Sequence, residues 1–308
     1  MWTIRTTLEW TQGHLEAKGF ENPRLEAQWL ICAATGFSRI EIYTNYDMPL
    51  VEAQLGALRE GIKRRLAGEP LQYIMGRVGF RHIEVAVRRG VLIPRPETEM
   101  LVEVVLAQMG EMGVGAGVAG ADAPAGAGPA VARVLDVCTG SGCVALALLD
   151  EWPGLSVVAT DIDPEAVALA RENAVALGYG FEGAPLLVLE DDLASLFVLR
   201  EEMQGGFDVL VSNPPYVPTG QLAALPKEIA GYESLRALDG GADGLEVFER
   251  IAQQAKVLLR PGGLLACELF ETKLDDARLL CEAQGFVDVR IYDDLAGRPR
   301  IIAAHTAR

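Results

Sequence analysis

The sequence predicts an α/β protein: a seven-stranded, mostly parallel, doubly wound sheet, preceded by a small all-helical N-terminal domain and a β-hairpin linker. Three observations carry this expectation. From Val131 onward, short apolar runs alternate with helical patterns. Before residue 70 the pattern is helical alone. Between the two, Ile83, Val85 and Val87 alternate with Glu84, Ala86 and Arg88, the period of a half-buried strand.

Taken in order, Asn22 reads as an N-cap, Pro23 as the first helical residue and Gly36 as a stop. Leu25, Trp29 and Cys32 keep helical spacing between them. A further helix places Leu55, Leu58, Ile62 and Leu66 on one face and ends at Gly68, before Glu69 and Pro70. These boundaries give a helical domain over 1–70, a linker over 71–92 and a catalytic domain over 93–308. Ile93-Pro94-Arg95-Pro96-Glu97-Thr98-Glu99 opens a helix through Leu101, Val102, Val105 and Leu106. Residues 110–130 are rich in Gly and Ala without apolar periodicity and read as a flexible surface loop. Strands are expected at 133–137, 156–160, 186–189, 207–212, 264–269, 287–292 and 300–304. Asp163 and Pro164 form another N-cap and N1 pair, and Gly178 closes that helix.

Half of the 308 residues are hydrophobic, enough to build a substantial core. The net charge of −16 is unevenly placed. Residues 1–90 hold 12 Lys and Arg against 10 Asp and Glu, leaving 15 against 33 for the rest. That acidic remainder repels nucleic acid phosphates and suits a basic protein partner better. The five cysteines are odd in number, include no C-x-x-C and lie mostly in apolar runs, as reduced thiols of a cytoplasmic protein do. His14, His82 and His305 form no metal-ligand pattern, so no metal is expected. Neither a signal peptide nor a membrane-spanning run is legible.

Asn213-Pro214-Pro215-Tyr216 follows the apolar run Val209-Leu210-Val211-Ser212. Successive prolines stop the strand and stiffen the residues before them. A rigid polar tip results at the carboxyl end of a strand, where open α/β sheets bind ligands. The Asn213 side-chain oxygen and the Pro214 carbonyl can both accept hydrogen bonds from one planar –NH2 group, with Tyr216 as a flat face beside it.

Asp136-Val137-Cys138-Thr139-Gly140-Ser141-Gly142 follows the first strand and opens a helix. Gly140, Gly142 and Ala145 also satisfy G-x-G-x-x-G/A, and Asp161 lies where an acid binds ribose hydroxyls, so an NAD site is one reading. Asp136 argues against it: at ~5 Å and an effective dielectric of ~20, each pair it forms with a pyrophosphate charge costs roughly 3 kcal/mol. S-adenosylmethionine carries a sulfonium and an ammonium instead, and a carboxylate favours both. Asp192, with Leu193 beside it, either meets the adenine or belongs with Asp191 to an ordinary acidic loop.

Together these motifs resemble class I, Rossmann-like S-adenosylmethionine-dependent methyltransferases, and more narrowly the peptide chain release factor glutamine methyltransferases of the HemK/PrmC family. The segments 93–99, 136–142 and 213–216 carry the resemblance, with Asp239-Gly240-Gly241-Ala242-Asp243-Gly244-Leu245, Arg260-Pro261-Gly262-Gly263 and Asp294-Leu295-Ala296-Gly297-Arg298 as later blocks. The chain departs from the pattern at Cys138, where a glycine is common, at Leu193, where some relatives carry an aromatic, at Ser234, which replaces a proline, and at Phe270, where a glycine is usual.

The resemblance implies transfer of a methyl group from S-adenosylmethionine to the glutamine amide of a Gly-Gly-Gln motif in class I release factors, by a monomer whose helical domain grips the substrate protein. It implies Asn213, Pro214 and Tyr216 as catalytic residues, and Asn213 to Tyr216 as the substrate site. Cofactor contacts fall to Asp136, Cys138, Thr139, Gly140, Ser141, Gly142, Asp161, Asp192, Leu193 and Asn213. Arg95, Glu97 and Glu268 either tune the pocket or serve as structural pairs and caps. An adenine-N6 type DNA or RNA methyltransferase shares the Asn-Pro-Pro-Tyr chemistry, but it needs a basic face that the acidic part lacks. An NAD-dependent oxidoreductase accounts for the glycine loop and not for Asn213.

Overall fold

The structure, a computed structural model, describes residues 1–114 and 131–308. Its first helices are α1 (Ile4–Glu16), α2 (Pro23–Thr35), α3 (Arg39–Thr44), α4 (Glu52–Leu66) and α5 (Leu71–Met75), followed by the paired strands β1 (Arg77–Phe80) and β2 (Ile83–Ala86). Next come α6 (Pro96–Met112), β3 (Ala132–Val137), α7 (Cys143–Glu151), β4 (Leu155–Asp161), α8 (Pro164–Ala176), β5 (Leu186–Glu190), the short α9 (Ser195–Val198) and β6 (Phe207–Ser212). The short α10 (Lys227–Ala230), α11 (Glu246–Leu258), β7 (Leu259–Glu268), α12 (Leu274–Ala283), β8 (Val287–Asp293) and β9 (Pro299–His305) complete the chain.

The described residues form two compact units, Met1–Val78 with Pro226–Tyr232, and Gly79–Leu225 with Glu233–Arg308. In the first, Ile4, Leu8, Leu15, Leu30, Ile31, Ile42, Leu58 and Ile62 make the core. Of the expected stripe of α2, Cys32 is buried and Trp29 packs against the core, whereas Leu25 is exposed; Ala27, Leu30 and Ile31 complete the buried face. Leu66 is exposed likewise, and Arg65 takes the buried place beside it, paired with Glu26 and Glu228. Asn22 makes no side-chain cap; Pro23 at the first turn and Gly36 at φ 77° punctuate α2 instead.

In the second unit the seven strands run in the order β5-β4-β3-β6-β7-β9-β8. The first five are parallel and β9 is antiparallel to both its neighbours. Leu135, Val137, Leu210, Leu265 and Cys267 share a core with Phe248, Ile251, Ala252 and Ala255 of α11. With a period of two, Val134, Asp136, Val209 and Val211 point to the opposite face, and they are buried as well. A sheet covered on both faces explains the unbroken apolar runs.

Helix α6 runs to Met112 and ends at Gly113, φ 66°, which places residues 110–112 in a helix and not in the expected loop; residues 115–130 of that loop lie outside the described residues. Met109, fully buried, anchors the added turn. Strand β7 begins at Leu259, five residues before the expected start, and includes the Arg260–Gly263 segment with a register shift against β6. None of the described helices is long and apolar enough to cross a membrane.

Candidate active site

Five parallel strands share one carboxyl edge, so Val137, Asp161, Glu190, Ser212 and Glu268 all end there. Between β3 and β6 the chain order reverses, and at that switch point a crevice opens above the sheet. It is lined by Asp136, Cys138, Thr139, Gly140, Ser141 and Asp161 from the glycine-loop side, and by Asn213 and Pro215 from the other.

Loop 138–142 is shaped by its backbone. Gly140 (φ 57°) and Gly142 (φ 81°) take left-handed conformations, and a Cβ on Gly142 would stand 3.2 Å from the Ala170 Cβ. Cys138 is also left-handed, φ 60°, which accounts for the glycine usual at this place and puts about 1–2 kcal/mol of strain here. Asn173 of α8 ties the loop to β2: its Nδ2 donates to the Ser141 and Ala86 carbonyls at 2.9 and 3.1 Å, and its Oδ1 accepts from Ala86 N–H at 2.7 Å. Arg81, paired with Glu103 and Glu151, pins the hairpin, whose following residues Gly90, Val91 and Leu92 reach the crevice.

Asp136 is 1% exposed; its Oδ2 accepts from the Thr139 hydroxyl at 2.6 Å and from Ala145 N–H at 3.2 Å. Burial pushes its carboxyl up to about 7. Asp161 accepts from Gly140 N–H at 2.8 Å and Asp163 N–H at 2.9 Å, and burial raises it too. The Ser141 hydroxyl is buried in the lining and makes no hydrogen bond. Two poorly solvated carboxylates and an orphaned hydroxyl suit a ligand with cationic and hydroxyl groups, and suit a pyrophosphate badly.

On the opposite wall, Asn213 directly follows the last residue of β6. Its Nδ2 donates to the Thr98 hydroxyl at 3.0 Å, and that hydroxyl donates to Glu268 Oε2 at 2.6 Å. The Tyr216 hydroxyl donates to the other oxygen, Oε1, at 3.1 Å. Burial pushes the Glu268 carboxyl upward, against those two donated bonds. Among the described residues neither Asn213 Oδ1 nor the Pro214 carbonyl receives a hydrogen bond. Pro214 is buried, and Tyr216 stacks on Phe270 with ring centroids 6.4 Å apart. Phe270 thereby fills the place of the usual glycine without a left-handed backbone.

Not every expected residue reaches the crevice. Leu193, 6% exposed, packs into the core with Phe197 and Phe248. The Asp192 carboxylate accepts from Arg250 at 2.7 Å and lies outside the lining. Gly142, Pro214 and Tyr216 are not among the lining residues, and each is next in sequence to one that is. Conversely, Thr98 lines the crevice and was not singled out by the motifs. Its signal was position: Thr98 shares the stripe of Leu101, Val102, Val105 and Met109, a polar residue on a buried helix face. Ser234, Arg236 and Ala237 also line it, and no periodic pattern announces them. The preceding Glu233 is buried and pairs with Arg95 at 2.6 Å.

A family model for the PrmC N-terminal domain matches residues 6–76, and one for the methyltransferase small domain matches residues 127–228. The release factor glutamine methyltransferase of Geobacter sulfurreducens is 39% identical over 302 residues, 98% of this chain and 96% of the relative. The chain belongs to the release factor glutamine methyltransferase family. The family's enzyme from Moorella thermoacetica is 37% identical, with 98% of each chain covered. Among solved structures, the catalytic domain of hMettl16 in complex with an RNA hairpin has a TM-score of 0.55 at 17% identity, covering 80% of this chain and 82% of that one, a likeness of fold alone. As a member of this family the chain is a methyltransferase.

Proposed function

We propose that this enzyme transfers the methyl group of S-adenosylmethionine to the side-chain amide nitrogen, N5, of the glutamine in the Gly-Gly-Gln motif of class I release factors. Family membership supports the reaction, and one observation carries the chemistry: Asn213 offers an unpaired Oδ1 at the crevice wall, with the unpaired Pro214 carbonyl next to it. Two adjacent acceptors match the two N–H bonds of a primary amide.

An amide nitrogen is a weak nucleophile because its lone pair is delocalised into the carbonyl. Asn213 Oδ1 and the Pro214 carbonyl accept both N–H bonds, orient the nitrogen and favour the positive charge that develops on it. Tyr216, held by Glu268 and Phe270, keeps the tip rigid. When bound, S-adenosylmethionine supplies an electrophilic methyl on sulfur. Asp136 and Ser141 are assigned to its methionine end and Asp161 to its ribose hydroxyls. Asp192, assigned to the adenine, is paired through Oδ2 with Arg250. The N–CH3 bond would form as the S–CH3 bond breaks, leaving S-adenosylhomocysteine, and one amide proton would depart after transfer, so no base is required before it.

Incubation with methyl-labelled S-adenosylmethionine and either release factor or duplex DNA tests the reading. Label on the factor is expected; label on DNA alone would assign the Asn-Pro-Pro-Tyr tip to a base amino group. Calorimetry against S-adenosylmethionine and NAD separates the oxidoreductase alternative, with tight NAD binding alone as the contrary result.

A further inference from the structure

We infer that Thr98 and Glu268 are positioning residues that fix which end of the Asn213 amide faces the substrate, and so make the site select a glutamine amide over a glutamate carboxylate. The inference deepens the proposed function and rests on it.

The available protons fix the direction of each bond. Glu268 is 1% exposed at the end of β7, and each of its oxygens receives one hydroxyl, Thr98 at 2.6 Å and Tyr216 at 3.1 Å. When Glu268 is ionised its carboxylate only accepts, and a threonine hydroxyl has a single proton to give. With that proton committed to Glu268, Thr98 has only lone pairs left for Asn213. The group Asn213 turns toward it must therefore be the –NH2, at 3.0 Å. Oδ1 is left for the crevice. The chain of bonds runs from α6 through β7 to the strand tip, so its polarity is set by a buried charge and not by the substrate.

The polarity decides specificity. With Oδ1 outward, the wall presents an acceptor to an incoming –NH2. A glutamate in the same place would set a carboxylate oxygen against Oδ1 and the Pro214 carbonyl, with no proton between them. Were the Thr98 proton not directed at Glu268, Asn213 could rotate and offer –NH2 outward, which welcomes a carboxylate. The pair thus acts through Asn213, without contact to the reacting atoms.

The test compares Thr98→Val, Thr98→Ser and Glu268→Gln with wild type. It reads kcat and KM on release factor, melting temperature, S-adenosylmethionine affinity, and calorimetric affinity for Gly-Gly-Gln and Gly-Gly-Glu peptides with S-adenosylhomocysteine present. Thr98→Val is expected to lower kcat about tenfold, the scale of one mis-set hydrogen bond, and to narrow the glutamine-to-glutamate preference severalfold. S-adenosylmethionine affinity stays within about twofold, because Thr98 acts on the substrate side, and Thr98→Ser restores most of the rate. In an Asn213→Ala background, Thr98→Val adds no further loss. Should Thr98→Val fail to fold, Glu268→Gln carries the same expectation, since its amide can donate to Thr98 and reverse the chain. An unchanged peptide preference in a folded variant, or a full additional loss on top of Asn213→Ala, overturns the inference while leaving the methyl transfer intact. A wild-type enzyme inactive on release factor overturns the proposed function, and this inference with it.

Discussion

Asn213 sits just beyond the end of β6 with its –NH2 engaged by Thr98 and its oxygen unpaired, so its removal takes away the acceptor together with the bond to Thr98. Asn213→Ala is expected to cost on the order of 2–4 kcal/mol of transition-state stabilisation, read as a fall in single-turnover rate with little change in cofactor affinity. An unchanged rate would remove Asn213 from the mechanism. Asp136 gives a pH signature. Burial lifts its carboxyl from the ordinary 3.8 to about 7, so between those values the unliganded native state keeps a proton that the unfolded chain has released. Stability from this group therefore falls as pH rises through that window. A cationic ligand favours the ionised form, so S-adenosylmethionine affinity should rise with pH up to about 7 and level off above it. Asp136→Asn should flatten that profile, weaken binding and raise the unliganded melting temperature above pH 7; a profile as steep as wild type would take Asp136 out of the site. Asn213 and Asp136 were legible because each stands in a short motif at a strand end. Thr98 was not, because its importance depends on Glu268, 170 residues away, and pattern reading has no term for that partner.

The elements that hold the site are tied by close backbone approach. The segment after the Asn-Pro-Pro-Tyr tip is clamped by the 238–244 loop: Val217 N–H donates to the Leu238 carbonyl, and Gly240 N–H donates to the Val217 carbonyl. A Cβ on Gly240 would stand 2.7 Å from the Tyr216 Cα and 2.8 Å from the Pro215 carbonyl oxygen, so backbone must move to admit it. Gly240→Ala is therefore expected to displace the tip, lowering kcat by up to ~100-fold and stability by about 1–3 kcal/mol, with S-adenosylmethionine affinity little changed. Calorimetry beside a kinetic assay checks this, and a proportional loss of cofactor affinity would mean that the loop supports the whole crevice. The strands of the sheet were readable because both faces are buried and their runs are unbroken, as in Val209 to Ser212. Helix α2 was harder. Leu25 follows helical spacing with Trp29 as well as Ala27 does with Leu30, and only packing against α1 and α4 decides that Leu25 stays uncovered.

At the scale of the molecule, the charge excess lies in the part that carries the crevice, 33 acidic residues against 15 basic after residue 90. A basic surface on the protein substrate would be drawn to it over about 8–10 Å at physiological ionic strength. The KM for release factor should therefore rise with salt while kcat stays level; a KM insensitive to salt would mean that the encounter is governed by apolar contact. The family was legible over nearly the whole chain because its motifs sit at strand ends that the sheet gathers on one edge, from Asp136 and Asp161 to Asn213 and Glu268. The wall from Ser234 to Ala237 was not, since an irregular segment carries no period to read. The most direct test is to locate the methyl group: the enzyme is incubated with S-adenosylmethionine and purified release factor, and the Gly-Gly-Gln peptide is fragmented by tandem mass spectrometry. A single methyl on the side-chain nitrogen of that glutamine is expected, absent when the glutamine is replaced by alanine. A methyl on any other residue, or one that persists in the alanine-substituted factor, would contradict it.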